Sequence, residues 1–180
     1  MKNILLCIYL CSFLTGCNTN YSEQISLRDQ LVIENALKLI LKHEGKVYQN
    51  NCYIVEPYFS DIILSNYFDS NDVFFKKLFE DKSQDEYKRI QDSLNNKNEG
   101  ESHSFLKSLS TCKRSEIFIG FSEICDDVIM GYVVKVNELM SIEQYKGKYK
   151  DQAISQDYYV FSFNKESGKI KDVYLGGIDF

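Results

Sequence analysis

The last third of the chain places the tightest constraint on the fold. Four runs rich in β-branched and aromatic residues lie there: "EIFIGFSEI" from Glu116, "VIMGYVVKV" from Val128 to Val136, "YYVFSF" from Tyr158 to Phe163, and "KIKDVYLGGI" from Lys169 to Ile178. Ile117, Ile119 and Phe121 alternate with the residues of a second face, which is the period of a pleated strand. Cys125, Asp126 and Asp127 separate the first two runs as a turn, and "NKESG" separates the last two, so the pattern predicts two consecutive hairpins. Such strands need an apolar cover, and the helical periodicities lie upstream.

The clearest of these is the first. Leu31, Ile33, Leu37, Ile40 and Leu41 recur at helical spacing, Ser26 and Asp29 can satisfy free amides at the start, and Gly45 is placed to end the helix in the left-handed conformation. Val47 to Val55 has strand-like composition, and Pro57, the only proline, forces Glu56 out of helical geometry. Shorter helices are predicted over Asp61 to Tyr67, Asp69 to Phe79 and Asp85 to Leu94, followed by a polar surface loop from Asn95 to Ser102. Helices first and strands afterwards predict an α+β fold, with N-terminal helices packed on an antiparallel β-meander. This order of elements loosely resembles cystatin-like and NTF2-like folds, in which a long helix packs on a curved antiparallel sheet. Ser162 and Asn164 on one strand, and Lys171 and Asp172 on the next, alternate with the core set and predict that part of the opposite face is wet. A broad protein-facing surface or a strand edge is then the expected place for a partner.

The N-terminus carries a different signal. Lys2 precedes an uncharged stretch of about eleven residues from Ile4 to Leu14, the length of a signal-peptide core and far below the ~20 residues of a membrane span. Leu14, Thr15 and Gly16 then lead into Cys17 and polar Asn18, Thr19 and Asn20. Residues 1–17 resemble a bacterial lipoprotein signal peptide with its lipobox. The resemblance implies diacylglycerol transfer to the Cys17 sulfur, cleavage before Cys17 and acylation of the freed amine, and two or more acyl chains anchor stably where one does not. The expected organisation is a signal peptide over 1–16, a lipidated tether over 17–25 and one globular domain over 26–180. The expected location is the bacterial cell envelope, with the membrane as a partner through the lipid on Cys17.

The chain has 21 basic and 26 acidic residues, and loss of Lys2 with the signal leaves 20 against 26. That acidic balance, with no basic cluster or zinc-finger spacing, argues against nucleic acid. A hydrophobic content of 44 % argues against disorder. Removing Cys7 and Cys11 and lipidating Cys17 leaves Cys52, Cys112 and Cys125 in a compartment that permits disulfides. Three pairings are open; Cys112 with Cys125 is preferred because a short strand could run out and return between them.

Residues able to do chemistry are sparse. His43 falls in the last helical turn, where a cation is favoured. His103 sits beside the polar loop and could act as base to Cys112 or Cys125 with Asp126 orienting it, but no family signature surrounds either cysteine. Asp126 with Asp127, and the "DSND" of residues 69–72, lack the spacing of a calcium loop, and no nucleotide-binding or nucleophile-elbow motif is present, so no metal or cofactor is expected. Most aromatics occupy strand positions and read as core, while Tyr145, Tyr149 and Tyr158 are expected to form an exposed contact patch. The function expected is a non-enzymatic binding or interaction module with an envelope protein as partner. The alternative is a small envelope hydrolase using His103 with a cysteine or carboxylate.

Overall fold

A computed structural model describes residues 25–45, 52–59, 83, 85–86, 88, 102–146 and 153–179, the last three as backbone only. The expected Cys17 tether, Tyr149 and nearly all of the short helices between residues 61 and 94 lie outside these residues. At Ser83 and Glu86 a capping box is present: Ser83 N–H donates to Glu86 Oε2 at 2.9 Å and Glu86 N–H to Ser83 Oγ at 3.3 Å.

The fold is α+β. In chain order it comprises α1 (Leu27–His43), β1 (Ile54–Val55), α2 (Ser104–Ser108), β2 (Ser115–Phe121), β3 (Val128–Met140), β4 (Ala153–Phe163) and β5 (Ile170–Asp179). The strands form one sheet in the order β1-β2-β3-β4-β5. From β2 to β5 each neighbour is antiparallel, as the turn chemistry predicts. β1 pairs with β2 in parallel, so the sheet is mixed rather than a pure meander. β3 and β4 are also longer than their apolar runs, because β3 continues through Asn137, Glu138 and Leu139 with their side chains in water.

The turns follow from local chemistry. Cys125 and Val128 exchange both backbone hydrogen bonds, and Asp126 between them has φ 55°, a conformation that Asp tolerates. At the other hairpin Asn164 Oδ1 accepts from the amides of Glu166 and Ser167, and Gly168 takes φ 65°, which only Gly adopts without strain.

α1 starts where Ser26 Oγ accepts from Asp29 N–H at 3.1 Å. It buries Val32, Ile33, Ala36, Leu37 and Ile40, so the apolar face is turned slightly from the predicted one and Leu31 is left 43 % exposed. This face packs with Ile119, Phe121, Ile129, Val133, Tyr159, Phe161 and Phe163 of the sheet. A Cβ at Gly131 would stand 2.9 Å from Ile40 Cδ1, so glycine there lets the helix sit close. The end of α1 differs from the expectation: Gly45 is not left-handed, and Glu44 closes the helix with its N–H on Ile40 O.

The opposite face is buried over most of its extent as well: Asp172, which shares it, is exposed as expected, but Ser162 is not. Phe118, Met130, Val134 and Val160 are at most 1 % exposed, and Ser162 is 6 % exposed. Tyr145 and Tyr158 belong to this second core, at 4 % and 5 % exposure, so they do not form an exposed patch. The reason is tertiary: a helical turn over residues 142–146 brings Tyr145 flat onto Phe118, with ring centroids 3.9 Å apart, while Lys146 Nζ sits 3.7 Å above the Tyr58 ring.

The disulfide also corrects the expectation. Cys52 pairs with Cys112 at a Cα–Cα distance of 5.5 Å, and Cys125 is outside the bridge. Cys52 and Cys112 each lie just before one of two parallel neighbours, β1 and β2, so the strand starts bring them together. Between Cys112 and Cys125 the chain is spent on β2 itself, which carries Cys125 to the far end of the strand, and the return strand begins only at Val128.

Candidate functional site

Three places concentrate polar or exposed groups. The first is the C-terminal end of α1, where helix and sheet meet. Strand alternation puts Lys135 of β3 and Asp157 and Tyr159 of β4 on the face beneath α1, and Glu44 follows the helix directly. The Tyr159 hydroxyl donates to Glu44 Oε1 at 2.5 Å. His43 Nδ1 lies 3.2 Å from the same hydroxyl, whose one proton is already given to Glu44, so the imidazole N–H is the donor. Lys135 Nζ stands 3.4 Å from Glu44 Oε2 and 3.9 Å from Asp157 Oδ2. A carboxylate as buried as Glu44 needs such partners, because an unmatched charge in the interior costs several kcal/mol. Tyr159 is 1 % exposed with its proton committed, so the cluster ties the helix end to the sheet.

The second place is on the other face. Glu56, 2 % exposed, accepts from the Tyr132 hydroxyl, and its own N–H donates to Ile119 O at 2.8 Å. Tyr132 reaches Glu56 across Gly120, its register partner, and a Cβ at Gly120 would fall 2.3 Å from the Tyr132 ring. Pro57 directly after Glu56 accepts from His103 N–H, which fastens the start of α2 to this corner.

The third place is the pair of sheet edges, which are finished in different ways. On β1 the outward backbone groups are taken by side chains that precede β2. Tyr53 N–H donates to Thr111 Oγ1 at 3.1 Å and Tyr53 O accepts from Thr111 N–H at 3.1 Å; Val55 N–H donates to Ser110 Oγ at 2.9 Å and Val55 O accepts from that hydroxyl at 3.3 Å. The Cys52–Cys112 bridge closes the same edge, and burial pushes the Tyr53 phenol above its ordinary range. β5 is the strand at the opposite end of the sheet, and Lys171, Asp172, Val173 and Leu175 along it are exposed, Val173 at 44 % and Leu175 at 40 %. An edge strand with apolar side chains in water is a template for another strand.

Of the residues singled out from sequence, His43 enters the α1 cluster, and Asp126 is held by Lys165 Nζ at 3.4 Å. His103 packs its ring on Phe59 at 5.0 Å, and among the described residues no contact joins it to Cys125 or Asp126. Glu44, Glu56, Lys135, Tyr132 and Tyr159 carry no sequence motif; the one available signal was a glutamate directly beyond a helix end. Among the described residues no group of three or more His, Cys, Asp or Glu side chains could hold a metal ion, and no helix is long and apolar enough to cross a membrane. No protein-family model matches the chain, and no curated protein or solved structure is significantly similar to it.

Proposed function

We propose that this chain is a lipid-tethered protein of the bacterial cell envelope that acts as a non-enzymatic binding module and engages another polypeptide by strand addition at β5. The tether rests on Leu14, Gly16 and Cys17 at the end of a short apolar run. The binding mode is carried by one observation: the β1 edge is closed by Ser110, Thr111 and the Cys52–Cys112 bridge, whereas β5 holds Val173 and Leu175 in water at the other end of the sheet. A helix above a largely antiparallel sheet, in an order loosely like that of cystatin-like and NTF2-like folds, is a scaffold suited to presenting such an edge.

The test places a photoreactive residue at Val173 or Leu175, and as a control at Thr111, in the chain expressed in its own envelope. Protein adducts from the β5 positions and not from Thr111 are expected, in a membrane fraction that resists a carbonate wash and is lost with Cys17→Ala. Labelling of lipid and solvent alone from both β5 positions would overturn the binding mode; carbonate-resistant partition of Cys17→Ala would overturn the tether.

A further inference from the structure

We infer that the outer face of α1, marked by Leu27, Leu31, Lys38 and Lys42, lies on the phospholipid surface to which the chain is tethered. This rests on the Cys17 tether proposed above and is independent of the binding mode at β5.

The helix has two faces of different character. At 3.6 residues per turn its buried residues, from Val32 to Ile40, fill one side and pack on the sheet. Leu27, Leu31, Lys38 and Lys42 fall within an arc of about 60° on the opposite side. All four are exposed, and among the described residues Leu27, at 84 %, is the most exposed large apolar side chain. A single leucine in water is common on protein surfaces. Here two stand one turn apart, where the helix is farthest from the core.

The position of these leucines in the chain says what covers them. Cys17 lies ten residues before Leu27, and ten residues extend at most roughly 35 Å. That reach is about the diameter of a small domain, so acylation of Cys17 holds the first turn of α1 close to the bilayer however the domain turns. A face held so near meets lipid at an effective concentration in the millimolar range, where contacts too weak to recruit a free protein suffice. The order of residues suits that surface. Leucines enter the boundary between headgroups and acyl chains, while lysines lay their methylenes along it and keep their ammonium groups among the phosphates. Glu34 is the acid nearest this arc; it is half-buried, and Lys38 follows it at the i+4 spacing that offsets its charge.

The experiment uses the full lipoprotein, purified with its N-terminal acyl chains and reconstituted in vesicles of phosphatidylethanolamine and phosphatidylglycerol. An apolar diazirine side chain is placed at position 27, 31 or 38, and as a control at Gln144, which is exposed on the helical turn covering the other face of the sheet. Phospholipid adducts of similar yield from all three α1 positions are expected, with few from Gln144. Position 38 decides the matter: it lies about 16 Å along the helix from Leu27, so a domain that merely hangs from its tether would label at 27 and fall to the Gln144 level at 38. That pattern, or adducts to protein in place of lipid, overturns the inference and leaves the tether standing. Leu27→Glu with Leu31→Glu should lower the yield at position 38 by about tenfold or more. Both sites are exposed, so an unchanged thermal melt certifies the fold of this variant, and an unchanged yield from it also overturns the inference. The mass of the N-terminal peptide from the same sample separates the two readings: a Cys17 without acyl chains removes the tether, and this inference with it.

Discussion

At the β1 edge, two residues of strand are held by a parallel neighbour on one side and by the Ser110 and Thr111 hydroxyls on the other, with a disulfide just before the strand. At the β5 edge, ten residues run the length of β4, and the side chains of Lys171, Asp172, Val173 and Leu175 are exposed. Length alone would make β1 the weaker element, since two residues of parallel pairing contribute little. The hydroxyls and the bridge supply what the strand cannot, and they leave no outward group for another chain. The difference shows that closing an edge takes dedicated side chains, whereas along β5 the side chains of Lys171, Asp172, Val173 and Leu175 stay in water.

The largest effect expected at the closed edge comes from the bridge. Cys52→Ser with Cys112→Ser opens a loop with a sequence separation of 60 and should cost about 2–4 kcal/mol, read as a lower denaturant midpoint. If midpoint and slope were unchanged, the bridge would not be what holds β1, and the contrast between the edges would rest on the hydroxyls.

Next comes the corner where β1 turns into the second core. Gly120→Ala drives a Cβ into the Tyr132 ring, and backbone on one side with the buried Glu56 on the other leaves the ring no simple retreat. A loss of about 1–3 kcal/mol is expected by thermal melt. Tyr132→Phe in the same background should recover little, since it leaves the ring in place. A neutral Gly120→Ala would show that Tyr132 moves freely and that Glu56 does not fasten this corner.

The smallest effect is a pH dependence that belongs to the closed edge alone. Tyr53 is buried there, and its folded pKa lies above the ordinary value of 10.0. Below that value the phenol is protonated in both folded and unfolded chains, so its contribution is constant; as pH rises past it the unfolded chain releases the proton first and stability falls. Denaturant midpoints from about pH 8 to 11 should therefore decline, and Tyr53→Phe should flatten part of that decline. An equal decline in the variant would assign the effect elsewhere.

How much was legible in the sequence depends on the range of the signal. α1 could be read from its apolar period and from Ser26, and β2 to β5 from alternation and the turns at Asp126 and Gly168, because each cue acts within a few residues. The site could not be read in this way. Glu44 and Tyr159 are 115 residues apart, and Glu56 and Tyr132 are 76 apart. A glutamate past a helix looks the same in sequence whether it meets water or a tyrosine. The burial of Tyr145 is illegible for the same reason: its neighbours are polar, and only the fold brings it against Phe118.

The sequence by itself determined the α+β class, the first helix and the antiparallel run of strands, since local periodicity and turn chemistry suffice for these. The tertiary structure alone decided that β1 joins in parallel, that Cys52 rather than Cys125 pairs with Cys112, that both sheet faces carry a buried core, and that the β1 edge is closed while side chains along β5 stay exposed. Those outcomes depend on which distant segments become neighbours. A side chain's burial, its hydrogen-bond partner and the status of a strand edge are properties of that neighbourhood, and they take a value only once the sheet order exists.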